Sequence, residues 1–256
     1  EWAKDANIYE VNVRQYTDEG TLKAFQTHLP RLKKMGVDIL WFMPVQPIGE
    51  LNRKGDLGSY YSIADYTAVN PNFGSIEDFK NVVDQAHDLG MHVILDWVAS
   101  HTAFDHEWVE SNPEFYSTDS AGNYPIVAMD NDGNLTDWTD VADLNYDAPG
   151  MREAMMDEMN WWVQNAHIDG FRCDVAGFVP YDFWYDAIQK LRSENGPLFM
   201  LAEWEDPALI DTGFNAVYGW EFHHIMNEVA KGNKNVQAIA DYARTCDEEW
   251  PASTMN

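Results

Sequence analysis

Short apolar runs alternate along the chain with longer segments whose apolar residues recur every three or four positions. Ile8 to Val13, Val37 to Met43, Met91 to Asp96, Ile168 to Asp174 and Leu198 to Ala202 read as strands, and Asn215 to Tyr218 as a short sixth. Thr21 to Lys34 carries Leu22, Phe25, Leu29 and Leu32 at helical spacing, with Gly36 as a stop and Pro30 as a weak point inside the pattern. Ile76 to Leu89 places Ile76, Phe79, Val82, Val83, Ala86 and Leu89 on one stripe. Met151 to Ala166, Tyr181 to Asn195, Phe222 to Lys231 and Val236 to Glu248 complete the helical set. Strands alternating with helices predict an α/β fold with a parallel sheet. About six β/α units are present against the eight of a closed barrel, so the expected architecture is a TIM (β/α)8-type barrel truncated after the sixth unit. A doubly wound sheet is the alternative. Against it, Arg14-Gln15-Tyr16-Thr17-Asp18, after the first strand, is no glycine-rich dinucleotide loop.

The rhythm breaks over residues 98–149, which are rich in Asn, Asp, Gly, Pro and Tyr and contain the turn cluster Asp130-Asn131-Asp132-Gly133-Asn134. Long irregular segments inside compact domains are usually functional. The expected organisation is therefore a barrel from residues 1–97 and 150–256, with 98–149 inserted as a small loop-rich domain after the third strand.

Composition narrows the function classes. The 16 Lys+Arg face 43 Asp+Glu, a net charge of −27. Such a surface repels phosphate backbones and anionic membranes, which excludes nucleic acid as an expected partner. No apolar run has the length of a membrane span. The opening residues Glu1-Trp2-Ala3-Lys4 carry no signal-peptide pattern and leave the compartment open, with export the favoured expectation. Cys173 and Cys246 form no metal-binding pattern and are expected to be free thiols.

Ionisable residues gather at the C-terminal ends of the strands, the edge on which β/α barrels build active sites. Asp96 ends the third strand, with His101 just beyond it. The fourth runs Gly170-Phe171-Arg172-Cys173-Asp174, and Glu203 follows the fifth. Side chains alternate along a strand, so Arg172 and Asp174 share a face. The guanidinium is expected to hold Asp174 as an anion. Glu203, beside Leu201 and Trp204, has the apolar surroundings that favour a proton donor. One ionised and one protonated carboxyl is what glycoside cleavage requires. Taken alone, Arg172 and Asp174 read equally well as a structural ion pair. The 11 Trp, 12 Tyr and 12 Phe add stacking surface for sugar rings, and Tyr60, Tyr61, Trp97, Phe178 and Trp204 fall near strand ends.

At these residues the sequence resembles the α-amylase family of glycoside hydrolases. Asp96-Trp97-Val98-Ala99-Ser100-His101 is similar to the family's strand-three motif, Asp-x-x-x-Asn-His. Gly170 to Asp174 matches the strand-four motif, and Leu201-Ala202-Glu203-Trp204-Glu205 resembles the strand-five motif. Val141-Ala142-Asp143-Leu144-Asn145 resembles the motif of the insertion, and Tyr61-Ser62-Ile63-Ala64-Asp65-Tyr66 the segment whose first Tyr stacks on the sugar. The likeness runs through essentially the whole chain, in order. It implies Asp174 as nucleophile, Glu203 as general acid/base and Arg172 as their partner. It also implies His101, Tyr61, Asp96, Phe178 and Trp204 as substrate-binding or supporting residues.

Three departures qualify what the resemblance implies. The motif's Asn, a structural calcium ligand in calcium-dependent members, is Ser100 here. Phe178 stands where a His is often found. Asp143 alone is a weak calcium candidate, and no cofactor is required for the chemistry. The family's strand-seven His-Asp motif is absent: His223 and His224 are followed by Ile225, and the sequence stops at Asn256. The expectation is a partial catalytic domain whose parent hydrolyses α-glucosidic bonds of starch-like glucans or maltooligosaccharides by a retaining mechanism. On its own it is expected to be nearly inactive and to self-associate through open sheet edges. A non-catalytic carbohydrate-binding or interaction module, and a transglycosylase or isomerase of α-glucans, are the alternatives.

Overall fold

A computed structural model describes residues 2–249. Six strands form one parallel sheet: β1 (Ile8–Val11), β2 (Ile39–Phe42), β3 (His92–Trp97), β6 (Gly170–Cys173), β7 (Phe199–Ala202) and β8 (Ala216–Val217), hydrogen-bonded in that order. Between β3 and β6 the chain leaves the sheet. There β4 (His101–Ala103) pairs antiparallel with β5 (Val141–Asp143), His101 opposite Asp143. The parallel sheet curls into a half-barrel with helices on its outer face. No described helix is long and apolar enough to cross a membrane.

The alternation of side chains divides the core in two. Leu40, Phe42, Val93, Leu95, Phe171, Cys173, Met200 and Ala202 point outward and are buried against the helices. Ile39, Ile94, Phe199, Leu201 and Ala216 point inward and form a smaller cluster, joined by Ala3 and Ala6. Register then sets the inner face row by row. Trp41 lies beside Ile94, Ile94 beside Gly170, and Asp96 beside Arg172. Gly170 is required there: a Cβ would stand 1.8 Å from the Phe199 carbonyl oxygen. Without a side chain at that point, β6 and β7 close up and bring Arg172 opposite Leu201.

The helices follow the apolar stripes. Ile76–Asp88 opens with a capping box in which Ser75 and Asp78 exchange hydrogen bonds, and buries Phe79, Val82, Val83 and Ala86. The expected helix over 21–34 is instead two, Leu22–Gln26 and Leu29–Met35. Pro30 lacks an N–H and cannot sit in a helix interior, so it falls in the first turn of the second helix. Both cysteines are free and buried. Trp97, grouped by sequence with the strand-end aromatics, points outward instead. It is fully buried and stacks on Tyr66 with ring centres 5.0 Å apart.

Candidate active site

The inner-face residues at the C-terminal ends of β3, β6 and β7 meet on one guanidinium. Arg172 Nη1 lies 2.9 Å from Asp96 Oδ1 and 2.8 Å from Asp174 Oδ1, and Nη2 lies 2.8 Å from Glu203 Oε1. Its Nε–H donates to the Tyr218 hydroxyl at 3.2 Å. The guanidinium stands 4.9 Å from the ring centre of Trp41 and 5.6 Å from that of Tyr218, giving it cation–π contacts on both. Burial works against its charge, but Asp96 and Asp174 outweigh burial and hold it protonated.

Three carboxylates around one cation leave a surplus of negative charge in a buried place. Asp96 is pushed up to about 6 by burial, against the pull of Arg172. Asp174 is raised well above the usual carboxylate range, first by burial and then by the charge of Asp96, with Arg172 opposing. Burial and the charge of Asp96 thus work against the ionised Asp174 that its Arg172 neighbour favours. Strand parity revealed one Arg beside one Asp. The register adds Asp96 and Glu203 to the same guanidinium, so three carboxylates share one cation.

Glu203 is fixed at both oxygens. Besides Arg172 on Oε1, the backbone N–H of Val175 donates to Oε2 at 2.9 Å. Val175 has φ of 35°, a left-handed conformation uncommon for a β-branched residue. That turn aims its N–H across to the end of β7.

A cleft of about 540 Å³ opens above this cluster, lined by Tyr61, His101, Trp138, Arg172, Asp174, Val175 and Glu203, with Lys54, Gly58, Ser59, Asp140 and Val141. His101 is buried, and burial lowers its ring to about 4, so it stands neutral at the cleft wall. Its Nδ1 is 2.9 Å from the Ser100 hydroxyl. The Tyr61 hydroxyl donates to Asp96 Oδ2 at 3.3 Å, and burial followed by the charge of Asp96 keeps the phenol protonated.

Five of the eight expected site residues thus line one cleft: Asp174, Glu203, Arg172, His101 and Tyr61. Asp96 does not reach it. Its side chain is fully buried, with Oδ1 taken by Arg172 and Oδ2 by Tyr61 and the Trp41 indole N–H at 3.0 Å. It supports the site from below rather than touching a ligand. Phe178 and Trp204 also lie outside the lining. They form an aromatic group with Trp138, in which Trp138 stacks on Phe178 at 5.8 Å and Phe178 meets Trp204 edge-on at 5.5 Å. Trp204 packs on Gly177, where a Cβ would lie 2.2 Å from the indole. Of this group, Trp138 is the member at the cleft.

Trp41, Tyr218, Trp138, Val175 and Lys54 were not singled out by sequence. Trp41 and Tyr218 had a signal, since both fall on the inward parity of their strands near the C-terminal edge. Trp138 and Lys54 had none, because they sit in irregular segments whose path only tertiary structure fixes.

A half-barrel of parallel β/α units with buried carboxylates on its C-terminal rim is the frame of a barrel enzyme. The family model for the alpha amylase catalytic domain matches residues 4–245, and the chain belongs to that family. An alpha-amylase from Lactobacillus plantarum has a solved structure similar to this one, with a TM-score of 0.90 and 33% identity over 98% of this chain and 61% of that chain. Alpha-amylase 3 of Dictyoglomus thermophilum is 28% identical over 80% of this chain and 44% of its own length. The trehalose synthase/amylase TreS of Mycolicibacterium smegmatis is 35% identical over 71% of this chain and 34% of its own length. The chain therefore spans less than half the length of these curated relatives.

Proposed function

We propose that the full-length protein cleaves α-glucosidic bonds of starch-like glucans or maltooligosaccharides by a retaining double displacement at Asp174 and Glu203. The observation that carries this is the single guanidinium of Arg172 gripping both carboxylates, 2.8 Å from each, at the floor of the cleft. Arg172 fixes their spacing. In the productive state Glu203 carries the proton to be donated and Asp174 is the attacking anion. Asp174 attacks the anomeric carbon, the glycosidic C–O bond breaks, and Glu203 gives its proton to the leaving oxygen. A water then gives a proton to Glu203 while its oxygen attacks the same carbon, and Asp174 leaves. His101 and Tyr61 are placed to hold the sugar, and the neutral imidazole serves as a hydrogen-bonding group rather than a charge. The test is Asp174→Asn and Glu203→Gln in the full-length protein, with activity on maltooligosaccharides expected to fall at least about 10³-fold in each. Near-normal turnover by either variant would overturn the assignment.

A second reading is transfer of the glycosyl group to another sugar, or isomerisation, through the same intermediate. The Mycolicibacterium smegmatis relative is a trehalose synthase/amylase, and the aromatic group of Trp138, Phe178 and Trp204 beside the cleft offers stacking surface for an acceptor sugar. Product chromatography separates the readings: longer or rearranged oligosaccharides appear only under transfer.

We further propose that residues 1–256 alone turn over little glucan and self-associate. Among the described residues β1 and β8 each lack a second sheet neighbour. Ile8 on β1, and Trp220, Phe222 and Met226 on the helix Trp220–Ala230, are exposed apolar side chains. Light scattering should show a mass that rises with concentration, and a constant monomer mass would refute this.

A further inference from the structure

The resemblance makes Ser100 and Asp143, at the two ends of the inserted segment, the positions at which a structural calcium would be expected. Their partners do not fit that role. A calcium ion needs six to eight oxygen ligands with free lone pairs directed at it. The Ser100 hydroxyl is 2.9 Å from His101 Nδ1 and is engaged there. Asp143 Oδ1 accepts the backbone N–H of Met129 at 2.9 Å. The cavity beside them contains Asp130, whose Oδ1 accepts the N–H groups of Asp132 and Asn134 at 3.0 and 2.9 Å and caps its own turn. Among the described residues, no three His, Cys, Asp or Glu side chains converge where they could hold a metal ion.

The same segment is fastened by direct bonds. The Tyr146 hydroxyl donates to the Ala99 carbonyl at 2.7 Å, and the Leu144 N–H donates to the Ser100 carbonyl at 3.2 Å. Ser117 N–H donates to the Asp143 carbonyl at 3.1 Å, and Asp143 N–H to the Ile126 carbonyl at 3.0 Å. These join the insertion to itself, including its first residues as they leave β3.

We infer that this chain fastens its insertion without calcium, with the Met129 N–H on the Asp143 carboxylate and Ser100 diverted to orient the His101 ring. The inference concerns the insertion and stands whether or not the catalytic reading holds.

The test is a thermal melt of the 256-residue chain in chelator and in millimolar calcium, read by circular dichroism. The expected result is the same midpoint in both, within about 1 °C. A saturated site would raise it by roughly 5–10 °C. Asp143→Asn keeps an acceptor for the Met129 N–H and is expected to melt within about 3 °C of the parent. A calcium-dependent rise that Asp143→Asn abolishes would overturn the inference. A rise that survives Asp143→Asn unchanged and is matched by magnesium reflects screening of the acidic surface, and upholds it for this site. Ser100→Ala provides the second readout. Its histidine ring signals in NMR spectra should move at His101, in chelator as in calcium, whereas a calcium-ligating serine would perturb His101 only in the presence of the ion.

Discussion

Val175 and Glu203 are joined across the ends of two strands, the Val175 N–H meeting Glu203 Oε2 at 2.9 Å from a backbone at φ 35°. A side chain branched at Cβ in the left-handed region costs about 1–2 kcal/mol. The strain sits one residue after Asp174, and it is what turns the N–H toward β7.

Val175→Gly separates the strain from the hydrogen bond. Glycine adopts this φ freely and retains the N–H, but its unfolded state gains about 0.5–1 kcal/mol of conformational entropy. The net expectation is a midpoint about 1–3 °C higher in a thermal melt. A lower midpoint would mean that the Val175 side chain contributes packing that outweighs its strain.

The carboxylate cluster makes stability depend on pH. Asp96 is raised to about 6 in the folded chain from an ordinary 3.8, so the folded state binds more protons than the unfolded one between these values. Its contribution is complete below 3.8 and is lost as pH rises through about 6. Asp169 acts in another window. Burial opposes it, but bonds from His87, Val93 and His92 lower it, so its contribution is lost only as pH falls below 3.8. His87 is raised above 6.5 by its bond to Asp169, and its contribution fades at higher pH still. Between pH 4 and 6 the Arg172 cluster therefore contributes a fall in the melting midpoint, while the buried His101, lowered to about 4, contributes a rise, so the cluster's share is read as the difference between parent and variant. Asp96→Asn leaves Arg172 paired with Asp174 and Glu203 and should remove the downward contribution. A slope unchanged in the variant would place the proton elsewhere.

Much of this is legible in the sequence, for definable reasons. Strand alternation predicted that Arg172 and Asp174 share a face, and their 2.8 Å contact follows from it. The helices at 76–88, 151–166 and 181–195 announced themselves through continuous apolar stripes ending at Gly or a cap. The state of Asp174 was not legible, because it depends on the sideways register that brings Asp96 opposite Arg172. Apart from Tyr61, which the resemblance picked out, the segment between β2 and the helix Ile76–Asp88 was equally opaque. It has no period, yet it supplies Lys54, Gly58, Ser59 and Tyr61 to the cleft. Its course is fixed by distant bonds, such as Asp105 accepting the N–H groups of Glu50 and Leu51 at 2.7 and 3.1 Å.

Lys54 ties that segment to the insertion over one rim of the cleft. Its ammonium is 3.3 Å from Asp140 Oδ1 and 2.9 Å from the Asp137 carbonyl oxygen. The Asp140 side chain is buried while Lys54 is half exposed, so solvent screens the pair and its coupling should be modest, about 1 kcal/mol. A double-mutant cycle of Lys54→Met and Asp140→Asn measures it. The location of the loss discriminates better than its size. If the pair closes the rim, hydrogen exchange in Lys54→Met should rise over residues 50–62 and 134–141 and stay unchanged in the helix Ile76–Asp88. Exchange that rises evenly along the chain would instead make Lys54 a contributor to general stability, and the rim would be held by Asp105 and by the Ser62 hydroxyl, which donates to the Asp140 carbonyl at 2.9 Å.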